Sequence, residues 1–106
     1  MLQTCRIKNN AVRLDPVRRC VSLSGQEVQL TNQEYLLFEE LFRHSALKGS
    51  PALSRKELLL TAWGSCQEYE TRTIDVHVRR LRMKLGSDII QTVYRRGYRI
   101  NPAVLH

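Results

Sequence analysis

The stretch TRTIDVHVRRLRMKLG, Thr71 to Gly86, decides how the rest of the chain is read. At 100° per residue, Ile74, Val78, Leu81 and Leu85 fall within about 60° of arc, the spacing of a buried helical stripe. The opposite side carries Arg72, Val76, Arg79, Arg80 and Met83, and the flanks carry Thr73, His77, Arg82 and Lys84. A charged helical face is ordinarily no more than solvated surface. A bare Val76 and Met83 among arginines fit a second reading, a recognition helix: arginines bind phosphates or guanine edges, and an exposed valine can touch a thymine methyl in the major groove.

The charge distribution favours the second reading. Residues 1–30 carry five Lys/Arg against two acids, residues 31–71 four against six, and residues 72–99 eight against two. Most of the formal net charge of +7 therefore sits in the last third. A clustered basic region in a domain of pI near 9.8 is the electrostatic footprint expected of nucleic-acid binding. An acidic membrane surface is the competing partner, but no amphipathic anchor, long apolar run or signal sequence supports it, so a soluble intracellular protein is expected.

A chain of 106 residues suits one domain with a single modest core and no internal linker. Cys5, Cys20 and Cys66 are odd in number and lack CxxC spacing, which argues against a disulfide framework or a zinc site and for reduced thiols in a cytosol.

Upstream of the central stretch, residues 1–30 alternate short apolar or β-branched runs with the turn signals Asn9-Asn10, Asp15-Pro16 and Ser24-Gly25. Antiparallel strands are expected near Cys5–Lys8, Ala11–Leu14, Arg19–Leu23 and Gln26–Leu30, laid against helices. Thr31-Asn32-Gln33-Glu34 reads as a capping box that opens a first helix, with Tyr35, Phe38, Leu41 and Phe42 as its apolar face, Leu37 beside it, and Gly49-Ser50-Pro51 as its stop. Ser54-Arg55-Lys56-Glu57 repeats the capping pattern and opens a short second helix through Trp63, ended by Gly64. The polar connector Ser65–Glu70 then leads into the central helix, longer than the usual helix-turn-helix turn.

Beyond Gly86, Ile89–Val93 and Tyr98–Ile100 read as a hairpin about the turn Tyr94–Gly97, with Arg95 and Arg96 at its tip and Arg99 following. A solvated hairpin is the bland alternative. Folding, however, has no need of adjacent arginines that repel each other beside a basic helix.

Together these residues carry a resemblance. The run RTIDVHVRRLRMKL, followed by IIQTVYRRGYRI and preceded by LTNQEYLLFEEL and LSRKELLLTAW, resembles the OmpR/PhoB-type winged-helix domain of bacterial response regulators in order and spacing, over nearly the whole chain. The resemblance implies an α+β winged helix-turn-helix. Its parts would be a four-stranded N-terminal sheet (about 4–30), three helices (about 32–46, 54–63 and 71–85) and a C-terminal β-hairpin wing (about 89–100). It further implies a cytoplasmic transcription regulator of a two-component system that binds double-stranded DNA as a homodimer, head to tail on direct-repeat half-sites, without a cofactor. By position, Val76 and Arg80 would face bases, while Arg72, Thr73, His77, Arg79, Arg82, Lys84 and, in the wing, Thr92 would meet phosphates. The connector Ser65, Cys66, Gln67, Glu68, Tyr69 and Glu70 corresponds to the segment through which activators of the family touch RNA polymerase.

Two departures stand out. The family's Arg-Gly-x-Gly wing turn is here Tyr94-Arg95-Arg96-Gly97, so a tyrosine stands at the minor-groove arginine and an arginine at a turn glycine that allows positive φ. Arg95 or Arg96 is expected to take over the minor-groove contact. In addition, 106 residues leave no room for the family's phosphoacceptor receiver domain, which suggests an excised effector domain or a stand-alone regulator.

Other function classes fit less well. For an enzyme, Asp75 with His77, or a cysteine with His44, His77 or His106, would have to work together. Residues two apart on a helix point in different directions, and none of the cysteines lies in a recognisable nucleophile setting, so no catalysis and no metal are expected. Asp75 is expected to pair with a basic neighbour. The remaining alternatives are a winged-helix protein-interaction module and a non-specific DNA-backbone binder, both of which would ask nothing of Val76 or Arg80 in base discrimination.

Overall fold

A computed structural model describes residues 12–23, 25–45, 52–64 and 72–102. The first three strands, β1 (Val12–Asp15), β2 (Cys20–Leu23) and β3 (Gln26–Gln29), form an antiparallel meander in the order β1-β2-β3. Alternation places Val12, Leu14, Val21, Leu23 and Val28 on one face, with Val21 opposite both Leu14 and Val28. That face joins the helical core, as expected. Asp15 shapes the first turn by accepting from the backbone N–H groups of Val17 and Arg18, both at 3.1 Å. The expected strand at Cys5–Lys8 lies outside the described residues, so the meander described has three strands.

Helix α1 (Asn32–Ser45) starts on the expected capping box: Thr31 N–H donates to Glu34 Oε1 at 2.9 Å, and Glu34 N–H donates to Thr31 Oγ1 at 3.2 Å. Its inner face buries Tyr35, Leu37, Phe38 and Leu41 completely, while Phe42 packs at the margin. At about 1.5–3 kcal/mol for each large apolar side chain buried, this stripe, and not the helix's modest propensity, holds α1 in place. The expected stop at residues 49–51 falls outside the described residues.

Helix α2 (Arg55–Leu58) also begins on its expected capping box, Ser54 N–H to Glu57 Oε1 at 2.8 Å and Glu57 N–H to Ser54 Oγ at 3.1 Å. It continues as a π-helical turn, Leu59–Trp63, which the apolar run gave no reason to expect. Gly64 ends it in the left-handed conformation, φ 81°, donating to the Leu60 carbonyl at 3.0 Å.

Helix α3 (Arg72–Leu85) buries the expected stripe of Ile74, Val78, Leu81 and Leu85. The chain then forms the hairpin β4 (Ile90–Val93) and β5 (Gly97–Ile100), paired Thr92 to Tyr98 and Val93 to Gly97. Gly97, expected in the turn, is the first residue of β5. The Ile100 N–H donates to Ser45 Oγ at 3.0 Å, which ties the end of α1 to β5.

One pairing had no sequence signal. Leu53, just ahead of α2, exchanges two backbone hydrogen bonds of 2.9 Å with Tyr98, adding a bridge at the edge of β5. The wing is thereby fastened to the segment that starts α2. Gly97 makes that approach possible, because a Cβ there would lie 1.9 Å from the Leu53 carbonyl oxygen.

Candidate nucleic-acid interface

Burying Ile74, Val78, Leu81 and Leu85 forces the other side of α3 outward. Arg72, Val76, Arg79, Arg80 and Met83 are all exposed, Val76 to 42% and Met83 to 76%. Val76 and Arg80 stand one helical turn apart on that face. The flanks are more engaged. The Nδ1 atom of His77 lies 2.9 Å from the Thr73 carbonyl oxygen, and its ring meets Trp63 edge-on at 5.0 Å, so the imidazole is oriented before any ligand arrives.

Arg82 spans from α3 to the wing. Its Nε and Nη2 atoms donate to the Ile90 carbonyl at 3.2 and 2.8 Å, Nη2 also reaches Thr92 Oγ1 at 2.9 Å, and its guanidinium lies 5.7 Å over the Tyr98 ring. Lys84 turns the other way. Its ammonium donates to the buried Glu34 carboxylate at 2.6 Å, joining the end of α3 to the start of α1. Burial pushes the Glu34 carboxyl up, but the Lys84 ammonium and the Thr31 backbone N–H outweigh it and hold the group below its ordinary value.

Asp75 pairs with a basic neighbour, as expected, and also with an unforeseen partner. Arg55 Nη1 donates to Asp75 Oδ2 at 2.9 Å, and the Tyr98 hydroxyl donates to Oδ1 at 2.6 Å. Burial and the adjacent carboxylate push the Tyr98 phenol up to about 12, so it stays a donor at physiological pH. One carboxylate thus joins α2, α3 and the wing. Asp75 and His77 have separate partners, Arg55 and Tyr98 for the one and the Thr73 carbonyl and Trp63 ring for the other.

At the wing tip Tyr94 is 80% exposed, and the Arg95 guanidinium lies 5.2 Å over its ring. Arg95 adopts φ 63°, so the arginine keeps the left-handed conformation at the position where a glycine was expected. Arg95 and Arg96 are both exposed, while Ser65–Glu70 lie outside the described residues. Among the described residues no three His, Cys, Asp or Glu side chains gather into a metal-binding group, and no helix is long and apolar enough to cross a membrane.

The sequence reading overlooked Arg55 and Tyr98. Each looks locally unremarkable, a first-turn arginine and a strand aromatic, and only folding brings them to Asp75.

This geometry has clear relatives. The family model described as "Transcriptional regulatory protein, C terminal" matches residues 25–100. The response regulator protein PmrA of Pseudomonas aeruginosa is 38% identical over 96 residues, covering 91% of this chain and 42% of PmrA. The phosphate regulon transcriptional regulatory protein PhoB of the same species is 35% identical over 98 residues, 90% of this chain and 41% of PhoB. The chain therefore spans about two fifths of the length of these relatives. Among solved structures, the DNA-binding domain of Klebsiella pneumoniae RstA in complex with the RstA box superposes with a TM-score of 0.72 at 30% identity, covering 88% of this chain and 93% of that one. The family match, the winged-helix architecture and the outward-facing α3 agree, and the chain belongs to the OmpR/PhoB-type family of response-regulator C-terminal domains.

Proposed function

We propose that this chain binds double-stranded DNA in a sequence-specific manner as the effector part of a transcription regulator, with α3 in the major groove and the wing in the adjacent minor groove. The observation that carries the reading is the two-sided character of α3: an apolar stripe committed to the core, and an outer face of three exposed arginines around Val76. Val76 and Arg80 read base edges, valine against a thymine methyl and arginine against guanine. Arg72, Thr73, His77, Arg79 and Thr92 meet phosphates and set the register. Arg82 and Lys84, on opposite flanks of α3, reach phosphates through the donors that Ile90, Thr92 and Glu34 do not use.

The wing enters the minor groove by Arg95 or Arg96, standing in for the arginine that Tyr94 replaces. Two copies bind direct-repeat half-sites head to tail in a cytoplasmic setting, and the segment Ser65–Glu70 contacts RNA polymerase. RstA bound to its RstA box supports the mode of binding, and the positions of these residues in the family pattern support their roles.

Selection of bound duplexes from a random-sequence pool at near-physiological salt, followed by sequencing, tests the reading. An enriched direct repeat is the expected result. Retention without enrichment would instead mark a backbone binder, and no retention a protein-interaction module.

A further inference from the structure

Met83 is 76% exposed on the outer face of α3, and no role assigned above uses it. Methionine is a flexible apolar side chain that ordinarily fills gaps in a core. Here the core has no call on it, because Ile74, Val78, Leu81 and Leu85 form the buried stripe on the other side of the helix. Seven residues separate Met83 from Val76, which at 100° per residue returns it to within about 20° of the same line and about 10 Å further along the axis. Val76 and Met83 are therefore exposed apolar side chains on one line of one face, roughly three base-pair steps apart.

The sulfur of Met83 differs from that of Cys20, the other sulfur among the described residues. Cys20 is 2% exposed in β2, and burial pushes its thiol up, which withholds the reactive thiolate. A thioether has no proton to lose, so exposure is what it needs in order to react. Arg79 and Arg80 stand four and three residues before Met83, the spacing at which helical side chains meet, and both are exposed. An oxygen placed on that sulfur would accept from either guanidinium.

We propose that Met83 is an oxidation site through which a hydroperoxide weakens duplex binding, an inference that rests on the DNA-binding reading. A sulfur lone pair attacks one peroxide oxygen and the O–O bond breaks. The departing hydroxide takes the proton of the transferred OH and leaves as water, so sulfur is oxidised by two electrons to the sulfoxide and the peroxide is reduced. The product sets a polar S=O on the line of Val76. An apolar contact with a thymine methyl in the groove is lost, and the new oxygen draws Arg79 or Arg80 away from the duplex. Because Met83 lies outside the core, the fold is unchanged.

The test titrates wild type, Met83→Leu and Met83→Gln with the selected duplex, each before and after hydrogen peroxide, with dithiothreitol added afterwards to reverse cysteine disulfides. Met83→Leu keeps every cysteine and Met1, so it removes this sulfur alone. Peptide mass spectrometry reads the sulfoxide at residue 83, and thermal unfolding follows the fold. Wild type is expected to lose about three- to tenfold in affinity on oxidation, with no change in its unfolding curve. Methionine sulfoxide reductases for both sulfoxide epimers should restore it. Met83→Leu should not respond to peroxide, whatever its starting affinity, and Met83→Gln should bind as weakly as oxidised wild type before and after treatment.

A sulfoxide formed at residue 83 with affinity intact overturns the proposal, as does peroxide that leaves Met83 unoxidised. A loss of the same size in Met83→Leu places the sensitive group elsewhere and overturns it too. So does a lowered unfolding temperature in oxidised wild type, which would make the effect one of stability. If untreated wild type binds no duplex, the DNA-binding reading has failed and this inference falls with it; if untreated wild type binds and oxidation changes nothing, only this inference falls.

Discussion

Tyr98 of β5 donates its hydroxyl to Asp75 of α3 across 2.6 Å, while Arg55 of α2 holds the other oxygen of the same carboxylate at 2.9 Å. The angle between α3 and the wing beside it is thus set by a side-chain junction as well as by the core. Asp75 is half-exposed, so the ion pair itself contributes little, and the hydrogen bond from Tyr98 carries about 1 kcal/mol.

Asp75→Asn separates positioning from charge. The amide weakens both contacts, and the variant is expected to lose about 1 kcal/mol of stability in urea unfolding. Its affinity for random duplex should rise, because a negative charge beside the basic face has gone, while its preference for the selected duplex should fall as the wing loosens. A variant that kept full sequence preference would show that the junction does not govern docking.

Gly97→Ala should be among the most damaging single changes. The added Cβ would meet the Leu53 carbonyl oxygen at 1.9 Å, and φ of 141° disfavours any side chain. Backbone lies on both sides of the clash, so no rotamer relieves it, and a loss of about 2–4 kcal/mol is expected from denaturant midpoints. A loss within about 0.5 kcal/mol would mean that the Leu53–Tyr98 bridge opens freely.

The pair Glu34–Lys84 gives the fold an acid-sensitive joint. Burial raises the Glu34 carboxyl, but Lys84 and the Thr31 N–H lower it by more, so its folded-state pKa lies below the ordinary value of 4.5. The unfolded chain therefore takes up the proton first as pH falls. The stabilisation is complete above 4.5 and is lost as pH falls through the lower folded-state value. Lys84→Met removes the main opposing partner and leaves burial unopposed by an ammonium. With Lys84 itself 36% exposed, the expected cost at neutral pH is a discounted ~1–2 kcal/mol, and because the folded-state pKa of Glu34 rises toward or above that of the unfolded chain, the acid-linked loss of stability from this group should shrink or reverse. Thermal unfolding across a pH series checks both.

Arg95 sits at φ 63°, which costs a non-glycine residue roughly 1 kcal/mol. Arg95→Gly is expected to relieve this strain, giving a gain of up to about 0.5–1 kcal/mol after the greater chain entropy of glycine is counted. The same change should weaken duplex binding and flatten its salt dependence. Stability and affinity would then move in opposite directions, which calorimetry and a salt series can read on one preparation.

What the sequence disclosed and what it withheld divide along contact distance. The stripe Ile74-Val78-Leu81-Leu85 and the two capping boxes follow from spacings of three or four residues, which a helix fixes by itself. The outer face of α3 was legible for the same reason. By contrast, Arg55–Asp75, Tyr98–Asp75 and Lys84–Glu34 join residues 20, 23 and 50 apart, and no periodicity encodes them. The run Leu58-Leu59-Leu60 reads as ordinary helix, and nothing in its spacing signals the π turn that begins at Leu59. The wing's departure from the family turn was visible, but only the backbone shows that Arg95 keeps the left-handed conformation glycine would have supplied.

The division of labour along α3 gives the sharpest test of the functional proposal. Arg80 follows Val76 by one helical turn, while Arg79 lies on the other side of Val76 and is turned 100° from Arg80; in the proposed docking Arg80 meets base edges and Arg79 the backbone. Both are exposed arginines on the same helix, so truncating either should leave stability nearly unchanged. Their effects on binding should nevertheless differ. Arg80→Ala is expected to cost about 1–3 kcal/mol on the selected duplex and much less on a random one, because a bidentate contact to guanine is lost only where the guanine is present. Arg79→Ala should weaken both duplexes alike and flatten the salt slope, as the loss of a phosphate contact does. Equal losses on the two duplexes for Arg80→Ala would remove it from base reading and leave Val76 as the sole direct reader, too little contact for a sequence preference carried by this helix.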